Sequence, residues 1–142
     1  MAGIQSENYN YDTVDELLEA AGRRRGHHYH VDHIVELQLV KEAFNMLKKS
    51  NYSSPDRKDE LIAFFNDERN LQFLLGEENG EKGRAVSKLI RINTGKNRKE
   101  SLTQSEKEWV KKIKKKWKKL RKDLHGKDFS RFEEALERLL IL

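Results

Sequence analysis

The chain has 142 residues and a formal net charge of +5, with 36% hydrophobic and 37% charged residues. This length fits one domain with a modest core, and the absence of cysteine excludes disulfides and cysteine-ligated zinc. The lack of cysteine favours a reducing, intracellular location, cytoplasmic or nuclear. No window approaches the roughly 18 apolar residues of a membrane span, so we expect no membrane-spanning segment and no membrane as a partner.

The first predicted element is a short helix over residues 13–22, which starts at a threonine cap and ends at a glycine. Residues 29–35, YHVDHIV, alternate enough to form a strand. From Glu36 the apolar residues recur every three or four positions, which predicts a helix. The Ser- and Asn-rich stretch 50–56 predicts a loop, and a second short helix completes an inserted helical segment, residues 36–66.

The second half of the chain begins with an apolar run, NLQFLL (residues 70–75), which predicts a second strand. Residues 76–80 predict a turn, and the pattern from about 79 to 92 is helical. A lysine-rich helix is expected over residues 104–124 and a last helix over 128–141. These elements predict an α+β fold that is mostly helical and contains a small two-stranded sheet.

The charge is divided unevenly along the chain. Residues 1–70 hold 9 Lys and Arg against 13 Asp and Glu, whereas residues 71–142 hold 20 against 11. A basic half is typical of proteins that bind polyanions, most often nucleic acid, and equally of a solvated lysine-rich helix. Charge alone leaves both interpretations open.

Two histidines and an aspartate stand in the first predicted strand, among β-branched residues that otherwise indicate burial. They are His30, Asp32 and His33. Taken alone, an Asp-His pair at a strand end is more often a hydrogen-bonded structural pair than a catalytic one. His30 shares the strand face of Asp32, whereas His33 can serve the same site as Asp32 only if the strand ends or bends there.

Three pieces of the sequence, taken in order, resemble the HNH or ββα-metal nuclease family. VDHIV (residues 31–35) is similar to the Asp-His pair that ends the family's first strand. NLQFL (70–74) is similar to the middle asparagine that opens its second strand, and NGEKG (79–83) to its final Asn or His followed by a basic residue. The nine-position separation of Asn70 and Asn79 matches the HNH domain of RNA-guided CRISPR nucleases.

The resemblance implies a role for each motif residue. His33 is expected to be the general base that activates water, a task suited to an imidazole with a pKa near ~6.5. Asn70 is expected to hold that histidine in place. Asp32 and Asn79 are expected to bind one divalent cation, Mg²⁺ or Mn²⁺, through hard oxygen donors, and His30 is a further candidate ligand.

The sequence also departs from the family pattern. The helical insertion replaces a short loop, and the third motif letter is Asn, which makes this an H-N-N variant. Zinc-binding cysteines are absent, so added N-terminal, inserted and C-terminal helices would have to brace the small ββα core. Lys82, the basic residue after Asn79, is a candidate contact for a substrate phosphate, although exposed lysines are common.

The lysine-rich helix is amphipathic. Its apolar face spans an arc of about 100° and consists of Trp109, Val110, Ile113, Trp117, Leu120 and Leu124. The opposite face is expected to hold a DNA backbone independently of base sequence, through Lys111, Lys112, Lys115, Lys118, Lys119 and Lys122. Because the last helix offers an apolar partner within the chain, packing is favoured over membrane binding for the tryptophan face.

The sequence therefore predicts a metal-dependent HNH endonuclease in a single domain, residues 1–142. Its catalytic core would be residues 28–92 and its basic extension residues 104–142, and its partner would be nucleic acid, in the first place double-stranded DNA. The alternative is a non-catalytic nucleic-acid-binding protein that uses the lysine-rich helix alone. A third, weaker alternative is a membrane-active or partner-binding helical protein.

Overall fold

The structure, a computed structural model, describes residues 29–47, 55–96, 99–124 and 129–142. The helix expected over residues 13–22 lies outside these ranges. The fold is α+β and mostly helical with one small sheet, which confirms the fold class predicted from the sequence.

Two five-residue strands form an antiparallel sheet, β1 (Tyr29–His33) and β2 (Leu71–Leu75). The register places Asp32 opposite Gln72 and His33 opposite Leu71. A short 3-10 helix, Glu68–Asn70, leads into β2. Because β1 ends at His33, two residues earlier than expected, the backbone after this residue is free to change direction.

Five helices complete the described part of the chain. They are α1 (Leu37–Asn45), α2 (Pro55–Phe65), α3 (Gly76–Asn93), α4 (Gln104–Leu124) and α5 (Ser130–Leu139). The first two lie in the insertion between the strands, and α3 follows β2 without a linker. None of them has an apolar stretch long enough to cross a membrane.

The turn predicted over residues 76–80 is wrong, because α3 already begins at Gly76. Its start is capped by the Glu78 carboxylate, whose Oε1 accepts a hydrogen bond from the Leu75 N–H at 3.0 Å. Acidic residues in the first turn also interact favourably with the helix dipole. These contacts outweigh the low helix propensity of the glycines in this segment.

The helices surround one main apolar core, in which α1 and α2 of the insertion meet α3, α4 and α5. The predicted apolar face of α4 is buried along its whole length, which confirms that it packs within the protein. The Trp117 ring stacks on Phe65 of α2 at 6.0 Å and meets Phe132 of α5 edge-on at 6.3 Å. The small sheet therefore rests on a helical core that the insertion helps to build.

Candidate active site

Asp32 lies near the end of β1 with its side chain completely buried. Its Oδ2 accepts hydrogen bonds from Lys82 Nζ at 2.8 Å and from Gln72 Nε2 at 2.9 Å. Its Oδ1 has no hydrogen-bond partner in the described part of the chain. Burial raises the pKa of the Asp32 carboxyl, and the neighbouring Lys82 ammonium opposes that shift.

Lys82 projects from α3 into the protein and is fully buried. Besides Asp32, its ammonium donates to the backbone oxygen of His33 at 2.7 Å and to Glu36 Oε1 at 3.1 Å. A lysine ammonium has three hydrogens to donate, and these three oxygens can take all of them. The structure thus places Lys82, which the sequence made a candidate contact for a substrate phosphate, inside the protein.

His33 is the last residue of β1 and is 7% exposed. Its Nε2 lies 2.6 Å from Asn66 Oδ1. Because an amide oxygen only accepts, Nε2 carries the ring proton in this arrangement and the lone pair is on Nδ1. Burial lowers the pKa of His33, while the hydrogen bond to Asn66 partly offsets this effect, so the neutral imidazole is favoured at neutral pH.

Asn70 fastens the chain beyond His33 to the end of the insertion. Its Oδ1 accepts from the Val35 N–H at 2.8 Å, and its Nδ2 donates to the carbonyls of Val35 at 3.0 Å and Phe65 at 2.8 Å. Its own carbonyl also accepts from the Ile34 N–H at 2.7 Å. The completely buried amide therefore joins the segment after β1 to the end of α2.

Asn79 lies in the second turn of α3 and is 6% exposed. Its Oδ1 is the second side-chain oxygen near the sheet that is buried without a hydrogen-bond partner among the described residues. Residues three apart on a helix share one side, so Asn79 and Lys82 face the same way. Because Lys82 reaches Asp32, Asn79 lies on the side of α3 that faces β1.

His30 lies on the same face of β1 as Asp32 and beside the start of α3. A Cβ added to Gly76 would lie 3.4 Å from His30 Nε2, so the ring packs directly against this glycine. Within the described ranges, no group of three or more His, Cys, Asp and Glu side chains is arranged to hold a metal ion. Of the residues that the sequence assigned to a cation, Asp32 and Asn79 each keep one buried oxygen without a partner among the described residues.

The predicted basic face of α4 is exposed to solvent along the helix, at Lys111, Lys112, Lys115, Lys118, Lys119 and Lys122. Two of these lysines have neighbours that engage their charge: Lys111 pairs with Glu108 at 3.2 Å, and Lys112 lies 4.5 Å above the Trp109 ring. The other four form no ion pair with a described residue, so this surface carries a concentrated positive charge.

Three members of the site were not predicted from the sequence: Glu36, Asn66 and Gln72. Their roles depend on contacts between residues 33 to 46 positions apart in the chain, and no local pattern marks them. No family model, curated protein or solved structure matches the chain. The HNH resemblance therefore rests on the motif residues themselves.

Proposed function

We propose that the chain is a metal-dependent HNH endonuclease that hydrolyses phosphodiester bonds in nucleic acid, with DNA as the favoured substrate. One observation carries this proposal. Among described residues, three buried side-chain atoms lack a hydrogen-bond partner, and two of them are Asp32 Oδ1 and Asn79 Oδ1; the third is in Glu133 on α5. The HNH resemblance independently assigns a cation to the first two, and an unpaired buried acceptor is unfavourable unless something binds it.

The charges around Asp32 also fit a cation. Two buried carboxylates, Asp32 and Glu36, share a single buried ammonium, that of Lys82. When all three groups are ionised, one negative charge is left uncompensated in a poorly solvated environment, which is costly unless a positive ion is near. Asp32 Oδ1 and Asn79 Oδ1 are hard donors of the kind that Mg²⁺ and Mn²⁺ prefer.

A bound divalent ion would neutralise the charge that develops on the phosphate and on the leaving oxygen. His33 would take a proton from the attacking water, with its Nε2 held by Asn66. Asn66 Oδ1 would then stabilise the imidazolium and fix the ring orientation. By the family pattern, the products should carry 5′-phosphate and 3′-hydroxyl ends.

Incubation of the purified chain with plasmid DNA and Mg²⁺ or Mn²⁺ should give nicked and linear products, and EDTA should prevent them. The His33→Ala variant should cleave at least about 100-fold more slowly, because it lacks the general base. Glu134→Gln, which changes an exposed side chain on α5, should cleave like the wild type. Cleavage by His33→Ala at close to the wild-type rate, or cleavage in EDTA, would contradict the proposal.

Mn²⁺ should raise the melting temperature of the wild-type chain, because a ligand that binds only the folded state stabilises it, by about 2.7 kcal/mol at 100 times its Kd. The Asn79→Ala variant should lose most of this effect, and differential scanning fluorimetry measures it without any cleavage. His30→Ala shows whether this histidine is a third ligand. An unchanged Mn²⁺ response in Asn79→Ala would remove this residue from the proposed cation site.

The exposed lysine face of α4 supports a second candidate function, a nucleic-acid-binding protein without catalysis. In that case the contacts of Asp32 and His33 would serve only to join β1 to α3 and to Asn66. The plasmid assay separates the two functions. DNA binding without cleavage, equal in the wild type and in His33→Ala, would support this second function and contradict the first.

A further inference from the structure

A cleft of about 650 Å³ runs along one side of α3, from His30 in β1 to Arg91 near the end of the helix. Gly76, Gly80 and Gly83 line it. His30 packs against the first and Arg84 lies over the second, so among these three the helix backbone is open to the cleft at Gly83. Pockets of this volume hold organic ligands of moderate size, equivalent to roughly one or two nucleotides. The cleft begins at the candidate active site, because Asn79 lines it as well.

No contact with a described residue explains the glycine at position 83. A Cβ added there would find no described atom within 4 Å, and the residue lies in the interior of an 18-residue helix. Glycine at such a position is less stable than alanine. Glycine at position 83 therefore lowers the stability of the folded protein. A ligand that approaches the helix closely at this position would give a reason for it.

One polar group shows what kind of ligand the cleft would hold. Asn79 also lines the cleft, but its buried Oδ1, which has no partner among the described residues, is an acceptor that suits a cation and not a phosphate. Arg84 is exposed and forms no ion pair with a described residue; its Nη1 lies 3.3 Å from the position of a Cβ on Gly80, so the guanidinium lies over that glycine. The other two long cations of the cleft are already engaged by carboxylates, Lys88 by Glu106 and Arg91 by Glu100.

We propose that this cleft holds the sugar–phosphate backbone of the strand being cut, on one side of the scissile phosphate, with Arg84 bound to a phosphate oxygen. The inference rests on the proposed nuclease function and adds a binding subsite to it. A guanidinium forms short, paired hydrogen bonds to phosphate, and such backbone contacts fix the register of a strand without reading its sequence. Gly83, which has no described atom near the position of a Cβ, would let the strand approach the helix more closely than any other residue would.

Fluorescence anisotropy with a labelled single-stranded DNA of about ten nucleotides tests the subsite, in EDTA so that no bond is cut. Arg84→Gln should raise the Kd about tenfold, while Arg138→Gln, an equal charge change at an exposed position on α5, should change it less than about twofold. Gly83→Ala should raise the Kd about fivefold although its melting temperature rises by about 3 °C. A residue with a purely structural role would not give these opposite effects on stability and binding.

The proposal is overturned if the wild type does not bind the oligonucleotide, or if either Arg84→Gln or Gly83→Ala binds as tightly as Arg138→Gln. These results do not depend on the nuclease activity. If the protein never cleaves but shows this pattern of Kd values, the proposed nuclease function is wrong and the cleft remains a phosphate-binding subsite. If the protein cleaves but the variants have unchanged Kd values, the nuclease function stands and the proposed subsite is wrong.

Discussion

Replacing Lys82 with methionine is expected to lower the free energy of unfolding by about 3 to 5 kcal/mol, because it removes the ammonium that pairs with both Asp32 and Glu36 in the buried site. Methionine fills much of the same volume, so the loss reflects charge and hydrogen bonding more than packing. Urea denaturation followed by circular dichroism measures it. Lys88→Met is the matched control on the same helix, since its ion pair with Glu106 is partly exposed and should contribute less than about 1 kcal/mol.

The destabilisation by Lys82→Met should depend on pH. Lys82 opposes the effect of burial on the pKa of Asp32, so its loss should move that pKa further above the ordinary value of 3.8. A carboxyl whose pKa is raised in the folded state binds more protons there than in the unfolded state, so stability falls as the pH rises through this interval. The variant should therefore be closest to the wild type in acid. A deficit that grows in acid, or one no larger than that of Lys88→Met, would contradict this account.

Replacing Asn70 with alanine is expected to lower the free energy of unfolding by about 3 kcal/mol, because it leaves the buried N–H of Val35 without a partner and removes a donor from two carbonyls. Thermal and urea denaturation measure the loss. Asn70→Asp should be at least as destabilising, since it would place a carboxylate oxygen against the carbonyls of Val35 and Phe65. Its deficit should shrink in acid, where a protonated carboxyl can donate to one of them.

Asn93→Ala is the matched control for Asn70. The Asn93 Nδ2 also donates to two carbonyls, those of Leu139 at 2.6 Å and Ile141 at 2.9 Å, but the residue is only half-buried. Water can replace the lost donor there, so we expect a loss of about 1 kcal/mol or less. An equal loss of unfolding free energy in the two variants would show that the buried hydrogen bonds of Asn70 contribute no more to stability than the half-buried ones of Asn93.

The sequence best predicts those elements whose apolar residues repeat regularly. The apolar face of α4 repeats with the helical period over 21 residues, and its burial follows from that repeat. The start of α3 was predicted wrongly because Gly76 and Gly80 indicate a turn when read locally. What decides it is the hydrogen bond between Glu78 and the Leu75 N–H, together with the packing of the helix on the sheet.

Some residues of the candidate site could likewise be identified from the sequence, and others only from the structure. Asp32, His33, Asn70 and Asn79 could be singled out because they form an ordered motif. The burial of Lys82 could not, since lysine is usually exposed and its partners come from the other side of the insertion. Asn66 likewise gains its contact with His33 only through tertiary packing.

The insertion between the strands has a consequence for the order in which the molecule assembles. A two-stranded sheet of this length is marginal in water, and closing the chain across residues 34–70 adds an entropic penalty that grows with the length of the loop. That penalty is offset only when α1 and α2 dock against α4 and α5. The two strands should therefore pair stably only in a chain that contains α4 and α5, and a chain that ends before α4 should not hold Asp32 against Lys82 or His33 against Asn66.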